Sequence, residues 1–284
     1  MISSKLQEIS LALATGTIVP YLGPGVLSLD PVSCHVPATP EDLVKLLTSK
    51  VSVPHKIRNN LTAAAQFIEN FKHRKSVVSL MADAFAPSAE PNVLHGYLSG
   101  VSKKPLLIVD TWYDDAMSKA LARQTNWGQI QGLSQSEHFG HWVNYFDAQG
   151  TETQPSEADS WSVVLYKPLG SIAPAKNFII SDSDFVEVLT EIDIQTPIPS
   201  RVQELRTGAN FLFLGCRFNN QLTRTYARQI MKRSSDIHWA VIEGPLSRME
   251  KKFIAEQNIT WIDMPLDEFV KWLNSGKITQ ALAA

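Results

Sequence analysis

A short apolar run from Thr17 to Leu22 leads straight into Gly23-Pro24-Gly25. A strand that ends in two glycines one residue apart delivers a tight corner at its carboxyl end, which favours folds with a parallel sheet. Such a corner lets the backbone turn sharply and approach a pyrophosphate, whose charge turn amides or a helix end can hold. On this fragment alone, a plain tight turn also explains the glycines.

The rest of the chain supports an α/β fold. Apolar strands alternate with amphipathic helices, so the expected architecture is a Rossmann-like, mainly parallel sheet flanked by helices. Ser3 or Ser4 is placed to cap a first helix that carries Leu6, Ile9 and Leu13 on one side and stops at Gly16. Thr39-Pro40-Glu41-Asp42 reads as a helix start, with a capping Thr, Pro at the first helical position and acid in the first turn. From there the spacing stays helical, with Leu61, Ala65, Ile68 and Phe71 on one stripe. We read residues of about 36–100 as an all-helical module inserted between the first two strands of a single domain, 1–284. Further strands are expected at 105–110, 162–166, 177–180, 210–214, 238–242 and 259–263, separated by helices at 182–192, 219–233, 247–257 and 266–273. Residues of about 124–160 carry Trp127, Trp142 and Tyr145 without clear periodicity and read as an irregular insertion or lid.

Composition removes several function classes. Of 284 residues, 44% are hydrophobic, ample for a core, and the formal charge of -2 gives no electrostatic footprint for nucleic acid. The basic stretch 217–233 reads as a solvated helix face, because Leu222, Tyr226 and Ile230 mark its buried stripe. No apolar run reaches the ~18 residues needed to cross a bilayer. Two cysteines, Cys34 and Cys216, are too few for a disulfide framework or a four-cysteine zinc site, so no metal is expected. His138 and His141 have the spacing of a zinc pair but no third ligand, and ordinary loop histidines are the better reading. A cytoplasmic location with reduced thiols is the resulting expectation.

Six segments, in order, resemble the sirtuin-like domain family, in the branch of bacterial NAD-consuming proteins. Val19-Pro-Tyr-Leu-Gly-Pro-Gly25 matches its opening strand and Gly-Ala-Gly turn, and Pro91-Asn-Val-Leu-His-Gly-Tyr-Leu98 its helix before the second strand. Leu107-Ile-Val-Asp-Thr-Trp-Tyr-Asp-Asp115 matches the strand ending in Thr-Thr-Asn-Tyr-Asp. Lys167-Pro-Leu-Gly170 matches Lys-Leu-His-Gly, Ser181-Asp-Ser-Asp-Phe185 the following helix start, and Phe211-Leu-Phe-Leu-Gly-Cys-Arg-Phe-Asn-Asn220 a late strand and turn. The resemblance implies NAD or ADP-ribose lying across the carboxyl ends of the strands. Gly23 and Gly25 would face the pyrophosphate, Asp114 would sit at the nicotinamide end, and Gly215 would let the backbone approach the adenosine half, with Pro24, Thr111, Trp112 and Cys216 also expected at the ligand. Cys216 also reads as a small buried residue.

Two departures concern the chemistry. The family's catalytic Asn is replaced by Trp112, whose indole offers one donor, no acceptor and a bulk that would fill nicotinamide space. Its catalytic His is replaced by Leu169, which cannot move a proton at any pH. Asp114 is the remaining candidate catalytic residue, beside Asp110 and Asp115, although acids that open a helix are also ordinary dipole complements. The expectation is a catalytically degenerate nucleotide-binding protein, a sensor or partner-binding module whose ligand is a small nucleotide and whose partner is another protein or a second copy. The alternatives are an active NAD glycohydrolase, rather than a protein deacylase, and a structural interaction protein with a closed cleft.

Overall fold

A computed structural model of the chain describes residues 2–30, 32, 34–101, 106–194 and 198–275. Nine strands form one sheet in the order β11-β10-β9-β1-β2-β6-β3-β4-β5. Six of its parallel strands are β1 (Ile18–Leu22), β2 (Leu106–Asp110), β6 (Val163–Lys167), β9 (Asn210–Leu214), β10 (His238–Val241) and the edge strand β11 (Ile259–Ile262). All pair parallel to their neighbours, with Tyr21 opposite Val109 on one side and Phe213 on the other. The α/β architecture read from the sequence is thus the fold. Pro105, placed in the second strand by its pattern, lies outside the described residues.

Burial on both faces explains why these strands are apolar throughout rather than alternating. Ile18, Leu22, Ile108, Leu212 and Leu214 point to a layer of α1 (Ile2–Ala14), α5 (Val93–Gly100), α6 (Ala116–Leu121) and α11 (Leu266–Asn274). Their neighbours Val19, Tyr21, Val109, Phe211 and Phe213 point the other way, to α7 (Asp182–Ile194), α8 (Ser200–Arg206), α9 (Gln221–Ile230) and α10 (Arg248–Glu256). The period-2 geometry of a strand makes that division automatic.

Between β1 and β2 the chain forms α2 (Pro40–Lys50), α3 (Leu61–Lys72), α4 (Arg74–Phe85) and α5, with Thr39 capping α2 through Asp42 N. Leu43, Leu47, Ile68, Met81 and Phe85 gather into a third core cluster that includes Trp112, Tyr113 and Phe178. Arg74 fastens this region to the rest: it pairs with Glu69, Glu137 and the fully buried Asp184 and donates to the Phe178 carbonyl.

Four local readings change. Helix α1 begins at Ile2, ahead of both serines proposed as its cap, while Gly16 does end it, at φ 66. The stretch 124–160 is not irregular: it contributes β3 (Trp127–Gly132), β4 (Val143–Asp147) and β5 (Glu152–Thr153) to the sheet, β3 parallel to β6 and β4 and β5 antiparallel. Residues 177–180 supply only β8 (Asn177–Phe178), paired with β7 (Gly170–Ser171) outside the main sheet. The chain leaves that pairing because Ile180 N and Ser181 N donate to the Asp184 carboxylate at the start of α7. Helix α8, with Val202 in the core, was not foreseen.

Candidate functional site

A cavity of about 530 Å³ opens at the carboxyl ends of β1, β2 and β9. It lies at β1, from which the sheet runs to β2, β6 and β3 in one direction and to β9, β10 and β11 in the other. Open parallel sheets bind ligands at such a reversal. Seven of the eight residues singled out from sequence line it: Gly23, Pro24, Gly25, Thr111, Trp112, Gly215 and Cys216. Asp114 does not.

The two glycine turns, one behind β1 and one behind β9, pack against each other. Gly23 N donates to Leu214 O (2.9 Å), Gly25 N to Gly215 O (3.0 Å), and Val26 N back to Gly23 O (3.2 Å). A Cβ on Gly23 would stand 2.5 Å from Gly215 O, and one on Gly25 2.9 Å from the same atom. Gly215 has φ +66, and a Cβ there would stand 2.4 Å from Val26 N. The glycines are therefore required by the approach of two backbones, before any ligand is considered.

The opposite wall carries the two departures. Leu169 lines the cavity, half-buried. The Trp112 indole is 4% exposed, packs on Phe85 and Tyr113, and donates its Nε1 hydrogen to Pro37 O at 2.7 Å. It is a wall fixed to the helical region. Beneath it lies a buried ionic group. Lys167, at the end of β6 and 1% exposed, holds Asp110 Oδ2 at 2.8 Å and the Asp114 carbonyl at 2.9 Å. Asp110 Oδ1 accepts from Trp112 N, and Asp114 Oδ1 from Ala116 N, the first residue of α6. Asp115 accepts from Ser88 Oγ and pairs with Lys119. Burial pushes the Asp110 carboxyl upward, and the Lys167 ammonium beside it pulls the other way.

Among the described residues, those lining the cavity include tyrosines, a cysteine and a glutamate. None of the seven histidines is there. Burial raises the Cys216 thiol and the Tyr21, Tyr113 and Tyr226 hydroxyls far above their ordinary ranges. His95, matched to a family histidine, sits in the helix cap of α5 with Nδ1 accepting from Asn92 N, and burial lowers it to about 4. The charged residues on the lining are Arg217 and the exposed Glu41. Arg217 is held by Glu250 at 2.9 and 3.0 Å.

Compared with known families, the SIR2-like domain matches residues 106–262, just over half of the chain. The protein belongs to the SIR2-like domain family. The match runs from β2 through β11, so it covers the Trp112 and Leu169 wall and the Gly215 turn, whereas β1, the first glycine turn and helices α1–α5 precede it. Comparison with curated proteins gives no match. Family membership implies an NAD-related role and leaves open whether this SIR2-like chain is catalytic.

The site fits such a ligand only in part. Position and volume suit a nucleotide-sized molecule. The deep wall, with Tyr21, Trp112, Tyr113, Phe185, Phe218 and Tyr226, suits a planar ring. The donor set of the turn behind β1 does not suit a pyrophosphate, since the Gly23, Gly25 and Val26 amides are already bonded and Pro24 has none. The sequence reading missed two things. Thr39, Asn60 and Leu61, from the helical region, close one side of the cavity, and no local pattern announces that. The Lys167–Asp110 pair did leave a signal, a lysine ending an apolar strand that matches another ending in an acid.

No helix among the described residues is long and apolar enough to cross a membrane, and no three of their His, Cys, Asp and Glu side chains are grouped to hold a metal ion.

Proposed function

We propose that this SIR2-like protein binds an NAD-related nucleotide in the cleft between β1, β2 and β9 without hydrolysing it, and acts as a sensor or partner-binding module. The observation that carries the reading is the aromatic cavity at the reversal of strand order, in a family with an NAD-related role, with Trp112 and Leu169 on the wall where the resemblance expects the catalytic Asn and His. Cleaving the nicotinamide bond needs a positioned nucleophile and stabilisation of developing positive charge. Asp114 is turned into the protein, its carboxylate bonded to Ala116 N and its carbonyl bound by Lys167. Glu41 is exposed at the cavity edge. Neither replaces an imidazole facing the ring.

Titration calorimetry with NAD, ADP-ribose and adenosine tests binding, and chromatography of nicotinamide after incubation with NAD tests hydrolysis. Binding of at least one of the three, with no nicotinamide released above the protein-free control, is the expected result. Release that disappears in Asp114→Ala would establish the glycohydrolase instead. Failure of all three ligands to bind would leave the closed-cleft interaction protein.

A further inference from the structure

We infer that Pro24 sets the ligand class of this cleft: it takes a nucleoside by its ring and ribose, and gives a bridging pyrophosphate no hold at the glycine corner. The inference rests on the nucleotide reading above and narrows it.

A phosphate taken from water into a cleft needs donors to replace its hydration, and bonds to charged oxygens are the strong ones. At this corner the donors can be followed one by one. Gly23 N is bonded to Leu214 O, Gly25 N to Gly215 O, and Val26 N to Gly23 O. Between the first two stands Pro24, which has no amide hydrogen. Across the corner, Thr111 gives both its amide and its hydroxyl to Leu22 O, each at 2.9 Å. Four consecutive positions of the turn thus offer nothing to an anion.

Side-chain charge does not compensate. Arg217 is the one cation among the described lining residues, and four of the five hydrogens of its guanidinium are taken up: Nε and Nη2 on Glu250, Nη1 on Glu243 O at 3.2 Å, and Nη2 also on Pro245 O at 3.3 Å. Glu41 adds a carboxylate to the same lining. A phosphate pair here would meet a neutralised arginine and an acid. The ring end differs, because Tyr21, Trp112, Phe185 and Tyr226 offer aromatic surface that a base can stack on.

Pro24 is the position where a donor can be restored at least cost. It occupies the first residue of the 3-10 turn Pro24–Leu29, whose amide is free in any helical turn, and it lines the cavity. Pro24→Ala therefore supplies one amide without breaking an existing bond, and Pro24→Gly supplies the same amide should alanine perturb the turn.

The test is calorimetry of adenosine and ADP-ribose on the full chain and both variants, with thermal melts to confirm folding. In the unaltered protein the two ligands should bind within about threefold of each other. In Pro24→Ala or Pro24→Gly, ADP-ribose should tighten about tenfold, the effect of one hydrogen bond to a charged group, with adenosine unchanged. ADP-ribose binding tenfold or more tighter than adenosine in the unaltered protein would overturn the inference. It would place the phosphates on other groups, such as the starts of α3 and α9, while leaving the nucleotide reading intact. An unchanged ratio in both folded variants would also overturn it. If neither ligand nor NAD binds to any of the three proteins, the nucleotide reading falls and this inference with it.

Discussion

The two walls of the cleft are built in opposite ways. The glycine corner keeps the family wording, yet its glycines are explained by packing: Gly23, Gly25 and Gly215 leave no room for a Cβ because one turn lies against the other. The β2–β6 wall presents Trp112 and Leu169 to the cavity, yet it rests on a dense polar foundation. Lys167, Asp110 and Asp114 are all under 5% exposed and bonded to one another or to the backbone of the Trp112 segment. A glycine motif can therefore be structural, and an apolar wall can be held in place by buried charge.

Removing that charge should have the largest effect. Lys167→Met leaves Asp110 buried without its partner, an imbalance that costs about 3–5 kcal/mol. Asp110→Asn combined with Lys167→Met removes both charges and should recover most of the loss, because the unpaired charge is the source of the penalty. Urea denaturation of the parent and both variants measures this. A single variant within about 1 kcal/mol of the parent would mean that the pair does not support the wall.

The corner should respond next. Gly215→Ala combines a left-handed backbone at φ +66 with a Cβ 2.4 Å from Val26 N, and should lower stability by about 3 kcal/mol. The cost arises without ligand, so it belongs in a melt of the unliganded protein. A mild effect there would return the glycines to a purely ligand-binding role.

What the sequence made legible follows the same division. The strands buried on both faces announce themselves as runs such as Leu107-Ile-Val and Phe211-Leu-Phe-Leu, and they form a mainly parallel sheet, as expected. Strand β3 does not. Its sequence is Trp-Gly-Gln-Ile-Gln-Gly, and every residue is buried. Gln129 and Gln131 are satisfied by the carbonyls of Ala173 and Ala175, more than forty residues away. Gly128 and Gly132 are small because Trp161 and Pro168 O press on them, at 2.3 and 2.2 Å from where a Cβ would be. Partners so distant in sequence leave no periodicity to read. The candidate site was legible as segments, since seven of the residues singled out meet at one cavity. Its hydrogen bonding was not, because whether an amide is free depends on the strand beside it.

A smaller, pH-dependent effect separates His95 from the ionic group. Burial holds its folded pKa near 4, below the 6.5 of the exposed side chain, so the unfolded chain binds the extra proton as pH falls between those values. Stability from this residue is then complete above about 6.5 and declines toward 4, with a slope of up to about 1.4 kcal/mol per pH unit. Asp110, raised by burial, acts in the opposite sense over the acid part of that range, and Asp114 and Lys167 also act on His95, with opposite signs. The difference between the parent and His95→Gln isolates the histidine, because Gln keeps the helix-cap function at that position. If the two proteins have parallel stability curves from pH 4 to 6.5, His95 is not the buried neutral group described.

The smallest effect decides what the corner comparison means. Gly208, with φ +69, has nearly the backbone geometry of Gly215, but nothing lies within 4 Å of its added Cβ. Gly208→Ala should therefore carry only the left-handed backbone penalty, about 1 kcal/mol. The gap between it and Gly215→Ala, read from the same denaturation series, is the part due to one turn pressing on the other. Two equal losses would show that steric approach contributes nothing at the corner. The glycines behind β1 and β9 would then have no structural reason to be glycine beyond φ at position 215, and contact with a ligand would be the remaining explanation for Gly23 and Gly25.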